Sequence, residues 1–340
     1  MKRINAVVVS HAMNNWDVLG QGIVLGDKEY EVYFHRDPRM SITNGHARFN
    51  FDVVVNDGSL KIDGMDIQNL IPTRRVHTIK RYNKVEQQMR LLAAVELNSD
   101  EENKALFTNF YPLVMHHNPQ MNGFSQLINP ENHVVVKPLD GARGIGQFLI
   151  DPEKLPLAVV VDALDGLIRD RVAMEDVLPT LRKFDPTLKY ATAGEKDDNE
   201  GLVAIKSQGF CIQDYVPNIK LEYRLLTGQD GEIAYCQRRD IRNKSTEGFA
   251  QATDSEANSA KGSDIVSIRD VLSGADLEGL QELVQTVIGP LSSVDLFITE
   301  DEQWGIFEYC NQFGMKGVPI GLAQTLHSEL LLNLIKRAGL

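Results

Sequence analysis

Residues 134–146 read VVVKPLDGARGIG, inside the run His133–Gln147. A short apolar strand ends in Lys137, one residue before Pro138, and a second apolar strand begins at Phe148 and runs to Ile150. The turn between them holds Gly141, Gly144 and Gly146, with Arg143 among them. Glycines at this spacing let a backbone approach a ligand closely, and their N–H groups can form a concave anion nest. A lysine beside such a turn adds a mobile point charge suited to phosphate. The stretch points to a phosphate-bearing ligand. The plainer alternative is a glycine-containing hairpin whose lysine is solvated, since isolated glycine patterns have low specificity.

Outward from this stretch, the chain has 340 residues, enough for two or three compact domains. Its 43% hydrophobic and 24% charged residues are ordinary for a globular protein. No apolar run approaches the roughly 20 residues that span a bilayer. The apolar stretch around Ala6–Val9 is too short for a secretory signal and reads as a first strand. The three cysteines, Cys211, Cys236 and Cys310, are far apart, without metal spacing and odd in number, which argues against a disulfide framework and for a cytoplasmic home. A formal charge of −12 disfavours nucleic acid as a partner.

Residues 1–80 alternate short apolar runs with turns, and read as a small α/β or mainly β domain. Its strand candidates are Ile4–Val9, Ile23–Val24, Tyr30–Phe34, Val53–Val55 and Val76–Ile79. Val85, Met89, Leu92 and Val95 recur at helical steps, and Asn83 is the expected N-cap of a helix over 83–98. Leu157–Val161 reads as a strand and Val172–Leu181 as a helix. Phe210–Val216 is a strand running into Pro217, and Glu222–Leu226 with Glu232–Arg238 forms a hairpin. Gly248–Ser263 reads as a polar loop, Asp276–Ile288 as a helix capped by Asp276 and closed by Gly289-Pro290, and Leu322–Ala338 as a last helix.

The second informative stretch is SSVDLFITEDEQWGIFEYCNQFG, residues 292–314. Two strands, about 293–299 and 304–310, flank a turn centred between Asp301 and Glu302, which places Asp295 opposite Glu308. Two carboxylates directly across a sheet repel, and a bound cation turns that cost into ligation. Magnesium takes one or two carboxylates together with substrate phosphates. Asn311 offers a neutral oxygen, although strict alternation aims it at the other face unless a bulge or the strand's end turns it back. The alternative is a solvated sheet face. Nearby, Arg224, Arg238, Arg239 and Arg242 are concentrated, but Arg238 and Arg239 face opposite ways on a strand, so one at most enters a given cleft. His116-His117 reads as a loop or packed pair, and Trp16 and Trp304 as packing residues.

In this order the motifs resemble the ATP-grasp superfamily of carboxylate–amine ligases, most of all the branch of glutathione synthetase and the ligase that adds glutamate to a ribosomal protein. The likeness covers about residues 81–320. Val134–Gly146 looks like the strand and glycine-rich loop that close over the ATP phosphates. Gln213-Asp214-Tyr215-Val216 looks like the hinge that holds adenine, and Glu222-Tyr223-Arg224 like the acidic step after it. Tyr235 through Arg239 is similar to the strand whose arginine faces the acylphosphate. Asn258 through Gly262, with Lys261, is similar to a substrate-loop segment. Val294-Asp295-Leu296 and Phe307-Glu308 through Asn311 resemble the paired magnesium strands. The chain departs from the pattern in having Glu308-Tyr309-Cys310-Asn311 where the family has Glu-x-Asn. The family also has a further lysine ahead of Lys137, and between Lys84 and Lys137 the sequence offers only Lys104.

The resemblance implies an α+β fold in which two ATP-grasp subdomains, 81–216 and 217–340, grip ATP behind a small α/β domain, 1–80. It implies ATP with magnesium, or manganese in its place, and a carboxylate and an amine, metabolite or peptide, joined through an acylphosphate. Lys137, Gly141, Arg143, Gly144, Gly146 and the 213–216 hinge with Glu222 would hold the nucleotide. Asp295, Glu308 and Asn311 would hold the metal, Arg224, Arg238 and Arg239 would serve catalysis, and Asn258, Lys261 and Gly262 would meet substrate. A non-catalytic ATP-binding module and a small-molecule kinase are the alternatives. No membrane or nucleic-acid partner is expected, and a homo-oligomer stays open.

Overall fold

A computed structural model describes residues 2–10, 19, 24–26, 30–35, 52–57, 61–62, 65–66, 76–78, 82–98, 104–117, 133–139, 147–170, 174–188, 210–239, 264–310 and 318–337. Among the described residues helices and strands are mixed, and the strands build three main sheets.

The first sheet is made of β1 (Lys2–Ser10), β2 (Val24–Gly26), β3 (Tyr30–His35), β4 (Val53–Asp57) and β7 (Val76–Thr78), in the order β2-β3-β1-β4-β7. β1 is parallel to β3 and β4, β4 is parallel to β7, and β2 closes one edge antiparallel. Two two-residue strands, β5 (Lys61–Ile62) and β6 (Met65–Asp66), pair antiparallel with each other. In β1, Ile4 and Ala6 are buried while Arg3 and Asn5 are exposed, the period-2 pattern of a strand with one covered face. The cover comes from the other end of the chain: Leu331 and Ile335, described below as part of the last helix, pack on Ile4, Ala6, Val32 and Val53.

Helix α1 (Lys84–Leu97) starts at Asn83, whose side chain accepts from the Glu86 N–H while Glu86 accepts from the Asn83 N–H. This capping box satisfies two N–H groups that the first turn leaves without partners. The second sheet holds β8 (Met115–His117), β9 (Val134–Pro138), β10 (Phe148–Ile150) and β11 (Phe210–Asp214), all antiparallel in the order β10-β9-β11-β8. β9 and β10 pair antiparallel, with Val136 opposite Phe148. Helices α2 (Leu157–Asp170) and α3 (Met174–Leu181) cover one face of this sheet. Leu157–Val161 is therefore helix and not strand. Three successive valines suggest a strand, but Leu157, Val160 and Leu164 recur at helical spacing and all are buried, so burial along one stripe outweighs local β-propensity.

The third sheet has β12 (Ile219–Thr227), β13 (Ile233–Arg239), β14 (Ser293–Thr299) and β15 (Trp304–Cys310), all antiparallel in the order β13-β12-β14-β15. Leu225, Cys236, Val294, Leu296, Ile306 and Tyr309 form one face, packed on Leu91 and Ala94 of α1 and on Leu280 and Leu283 of α4 (Gly274–Leu283). Helix α4 starts after Ser273, two residues before Asp276 is reached. Asp276 is not its cap: its carboxylate accepts from Trp304 Nε1 at 3.0 Å and Asn109 Nδ2 at 3.2 Å. One π-helical turn, Val284–Ile288, follows, and Gly289 at φ +86° ends it, a conformation that glycine adopts without strain. The last helix, α5, runs Ile320–Arg337. Packing thus crosses the segments read from sequence: α1 lies on the third sheet and α5 on the first.

Candidate active site

Strand pairing decides which side chains share a surface. Opposite one another across the third sheet stand Arg224 and Gln237, Arg224 and Asp295, Asp295 and Glu308, and Ser293 and Cys310. Glu222 lies opposite both Arg239 and Phe297. Because side chains alternate, Glu222, Arg224, Arg239, Asp295, Glu308 and Cys310 all belong to the face turned away from α1 and α4. Arg238 belongs to the opposite face and is exposed, while its N–H donates to the Asp264 carbonyl at 2.9 Å.

Asp295 and Glu308 are opposite, though the hairpin reaches that register by another route. Leu296 faces Ile306 and Ile298 faces Trp304, so the turn centres on Asp301, one half-step earlier than its symmetry in sequence suggests. Thr299 donates to the Gln303 carbonyl, leaving a three-residue loop in which Glu302 takes φ +59°, as three-residue hairpin loops require. The register then shifts between Asp295 and Leu296, with Phe307 as the extra residue. Beyond this bulge Glu308 comes into line with Asp295. At the other end of the hairpin Gly305 lies under the Phe297 ring. A Cβ there would strike that ring and come within 2.8 Å of the Tyr111 carbonyl oxygen.

Asp295 is buried and bound by two cations. Arg224 donates to it through Nε at 2.9 Å and Nη2 at 3.1 Å, and Arg239 Nη1 lies 3.1 Å from Oδ2. Burial alone would raise its pKa; the attraction and hydrogen bonds of Arg224 and Arg239 outweigh this and hold the carboxyl below its ordinary range. Burial likewise opposes the charge on Arg224, and Asp295 more than restores it. The Glu308 carboxylate, half-buried, has no hydrogen bond or ion pair among the described residues.

The second sheet brings in Lys137. Its ammonium stands 5.5 Å over the centre of the Phe307 ring. Burial and the nearby charge of Lys84 pull its pKa from 10.5 down to about 8, against Cys211, Glu308 and Glu222. Lys84 heads α1, and its ammonium lies 3.4 Å from the Pro138 carbonyl oxygen. Lys84 is thus a second cation beside Lys137, a neighbour that the sequence alone did not pair with it. Between the two sheets runs 213–216. Gln213 is buried, Asp214 and Tyr215 donate their N–H groups to the Val114 and His133 carbonyls at 3.0 Å, and Val216 packs on Leu113 and Phe297. Phe297 and Phe307 rings lie 4.4 Å apart, an apolar wall between the hinge and the carboxylates.

Gly141, Arg143, Gly144, Gly146, Arg242, Asn258, Lys261, Gly262 and Asn311 lie outside the described residues, as does Trp16. Among the described residues no group of three His, Cys, Asp or Glu side chains converges as a self-sufficient metal cage. Two hard carboxylates on one face fit magnesium in the regime where phosphate oxygens supply further ligands. Two residues after Glu308 stands Cys310, and its pairing with Ser293 puts it on the site's face.

No family model matches the sequence, and no curated protein matches it. Solved structures do. The chain is similar to the macrocyclase MdnC of Microcystis aeruginosa, bound with its precursor peptide MdnA, at 12% identity and TM-score 0.48 over 98% of this chain and 100% of that one. It is similar to a Chryseobacterium gregarium RiPP-associated ATP-grasp ligase, in complex with ADP and a leader and core peptide, at 8% identity and TM-score 0.48 over 98% and 97%. A D-alanine–D-alanine ligase from Bacillus anthracis, complexed with ATP, aligns at 13% identity and TM-score 0.43 over 100% and 99%.

Proposed function

We propose that the chain is an ATP-grasp enzyme, an ATP- and magnesium-dependent ligase that joins a carboxylate to an amine. One observation carries the reading: Lys137, from the strand before the glycine turn, stands over Phe307 within electrostatic reach of Glu308, so a cation from the second sheet meets the Asp295–Glu308 pair of the third. That is the charge layout that a triphosphate with a divalent ion needs.

In this mechanism Lys137, aided by Lys84, binds phosphate oxygens, and the Phe297–Phe307 wall with the 213–216 hinge receives the base. Asp295 and Glu308 are the residues that would hold magnesium, which when bound offsets phosphate charge. A substrate carboxylate oxygen attacks the γ-phosphorus, the bond to the bridging oxygen breaks, and ADP leaves with the electron pair. The amine nitrogen attacks the acyl carbon, the carbon–oxygen bond to phosphate breaks, and the nitrogen releases a proton. Arg239, free to divide its charge between Asp295 and an incoming anion, stabilises the acylphosphate oxygens. The departure from Glu-x-Asn is the specific observation favouring a non-catalytic ATP-binding module as the second reading.

The test is ADP release with magnesium and pooled amino and carboxylic acids, with hydroxylamine as the trap. A hydroxamate and an amide with free phosphate support the ligase. A stable phosphoester indicates a kinase, and nucleotide binding without turnover indicates the module.

A further inference from the structure

Strand β15 is an edge strand, and its outer side is sealed by unlike partners. Near the turn, backbone does it: Trp304 donates to the Asn109 carbonyl at 2.9 Å and accepts from the Tyr111 N–H at 2.7 Å. Past Gly305 no strand among the described residues runs alongside. There two consecutive glutamines of α1 take over. Gln88 Nε2 donates to the Ile306 and Phe307 carbonyls, both at 2.9 Å, and Gln87 Oε1 accepts from the Tyr309 N–H at 3.0 Å. Gln87 Nε2 also donates to the Tyr82 carbonyl at 2.7 Å. Both amides are buried, 7% and 2% exposed.

In a regular strand successive carbonyls point to opposite edges. One amide group reaching two consecutive carbonyls is the mark of the bulge at Phe307. The bulge fixes where Glu308 points. Without it the register of the turn end would continue, Phe307 would stand opposite Asp295, and Glu308 would turn toward the apolar core of α1 and α4, because a one-residue slip flips every side chain.

We infer that Gln88, with Gln87, is a positioning residue for the metal site: it locks the β15 bulge and thereby aims the Glu308 carboxylate at Asp295. This rests on the proposed metal-dependent reading of the site. The helix whose first residue, Lys84, flanks the phosphate-binding lysine also sets the second carboxylate, so one rigid element ties both halves of the cleft.

The experiment is a manganese titration followed by electron paramagnetic resonance on the full chain with ADP. It compares wild type with Gln88→Met, which keeps length and loses the donor. Metal-free ADP binding and thermal unfolding are measured on the same samples. Gln88→Met is expected to weaken manganese roughly 10–100-fold, the usual cost of losing a residue that orients a metal ligand, with metal-free ADP binding unchanged. Equal manganese affinity in folded wild type and variant overturns the inference while leaving the proposed function standing. Wild type that holds no manganese overturns both. If Gln88→Met does not fold, Gln87→Met, which strips the Tyr309 N–H of its acceptor, carries the same comparison, and unchanged manganese affinity there overturns the inference as well.

Discussion

Glu308 faces Asp295 across β14 and β15, yet the two carboxylates are held in opposite ways. Asp295 is gripped by Arg224 and Arg239, whereas the Glu308 carboxylate makes no hydrogen bond or ion pair among the described residues and feels Lys137 and Arg224 only through space. Their neutral variants should therefore separate chemistry from stability. Glu308→Gln is expected to lower turnover about 10²–10³-fold, the scale for losing a charge-stabilising group, and to change stability by less than about 0.5 kcal/mol. Asp295→Asn leaves two half-buried guanidinium groups without their counter-charge and should cost about 3–5 kcal/mol. Denaturant unfolding alongside ADP release checks both. Near-normal turnover in Glu308→Gln would remove it from the metal site. The Asp295 contribution is present above the ordinary aspartate pKa and is lost as pH falls through its lower folded value, so acid should narrow the gap between wild type and Asp295→Asn.

Lys137 gives a signal at the other end of the pH scale. Its pKa is about 8 in the folded chain against an ordinary 10.5. Between those values the unfolded chain binds more protons, so stability rises with pH across that window as the folded lysine sheds the cost of its buried charge. Phosphate has the reverse effect, because it favours the charged form. Above about pH 8 nucleotide binding must take up a proton, and metal-free ATP affinity should fall by up to about tenfold per pH unit. Burial, then the charge of Lys84, pull this value down, and Cys211, Glu308 and Glu222 oppose them. Calorimetry in buffers of different ionisation enthalpy reads the proton uptake, and Lys137→Met should abolish it. A pH-independent affinity would take Lys137 out of the phosphate site.

Much of this geometry was legible in the sequence because it depends on periods. Alternation separates Arg238 from Arg239, and the symmetry of residues 293–310 pairs Asp295 with Glu308. The paired residues are right although the turn centre is displaced, since the Phe307 bulge returns the half-step that the loop removes. A bulge leaves no reliable mark in one sequence. Nor do Gln87 and Gln88, which look like solvated helix residues until a strand edge is placed against them. Val159-Val160-Val161 misled for a related reason: local β-propensity is legible, and the sheet that buries one helical stripe is not.

Cys310 reports on the cleft without any knowledge of the substrates. Cys211 and Cys236 are buried, and burial pushes the Cys236 thiol up to about 12, so neither is a ready nucleophile. Cys310 is half-exposed on the face that carries Glu308. N-ethylmaleimide should add once, at Cys310, and magnesium with ATP should slow that addition. Mass mapping of the labelled peptide measures both. Equal labelling with and without nucleotide would place ATP elsewhere.

The two neighbouring arginines give the sharpest test of which sheet face performs chemistry. Arg239 reaches Asp295 at 3.1 Å, while Arg238 projects from the face turned toward α1 and α4 and is exposed at its rim. Arg239→Ala should cut amide formation about 10²-fold or more, the scale for removing one donor to a developing oxyanion, and Arg238→Ala should leave it nearly unchanged. Arg224 complicates Arg239→Ala only slightly, because its bidentate grip keeps Asp295 ionised when Arg239 is gone. A loss in Arg239→Ala confined to KM for ATP, with the rate at saturation intact, would assign Arg239 to nucleotide binding. A loss of the saturated rate would assign it to the acylphosphate. If Arg238→Ala is the damaging change, the catalytic surface is the other face of the sheet, and the Asp295–Glu308 cleft has no part in the reaction.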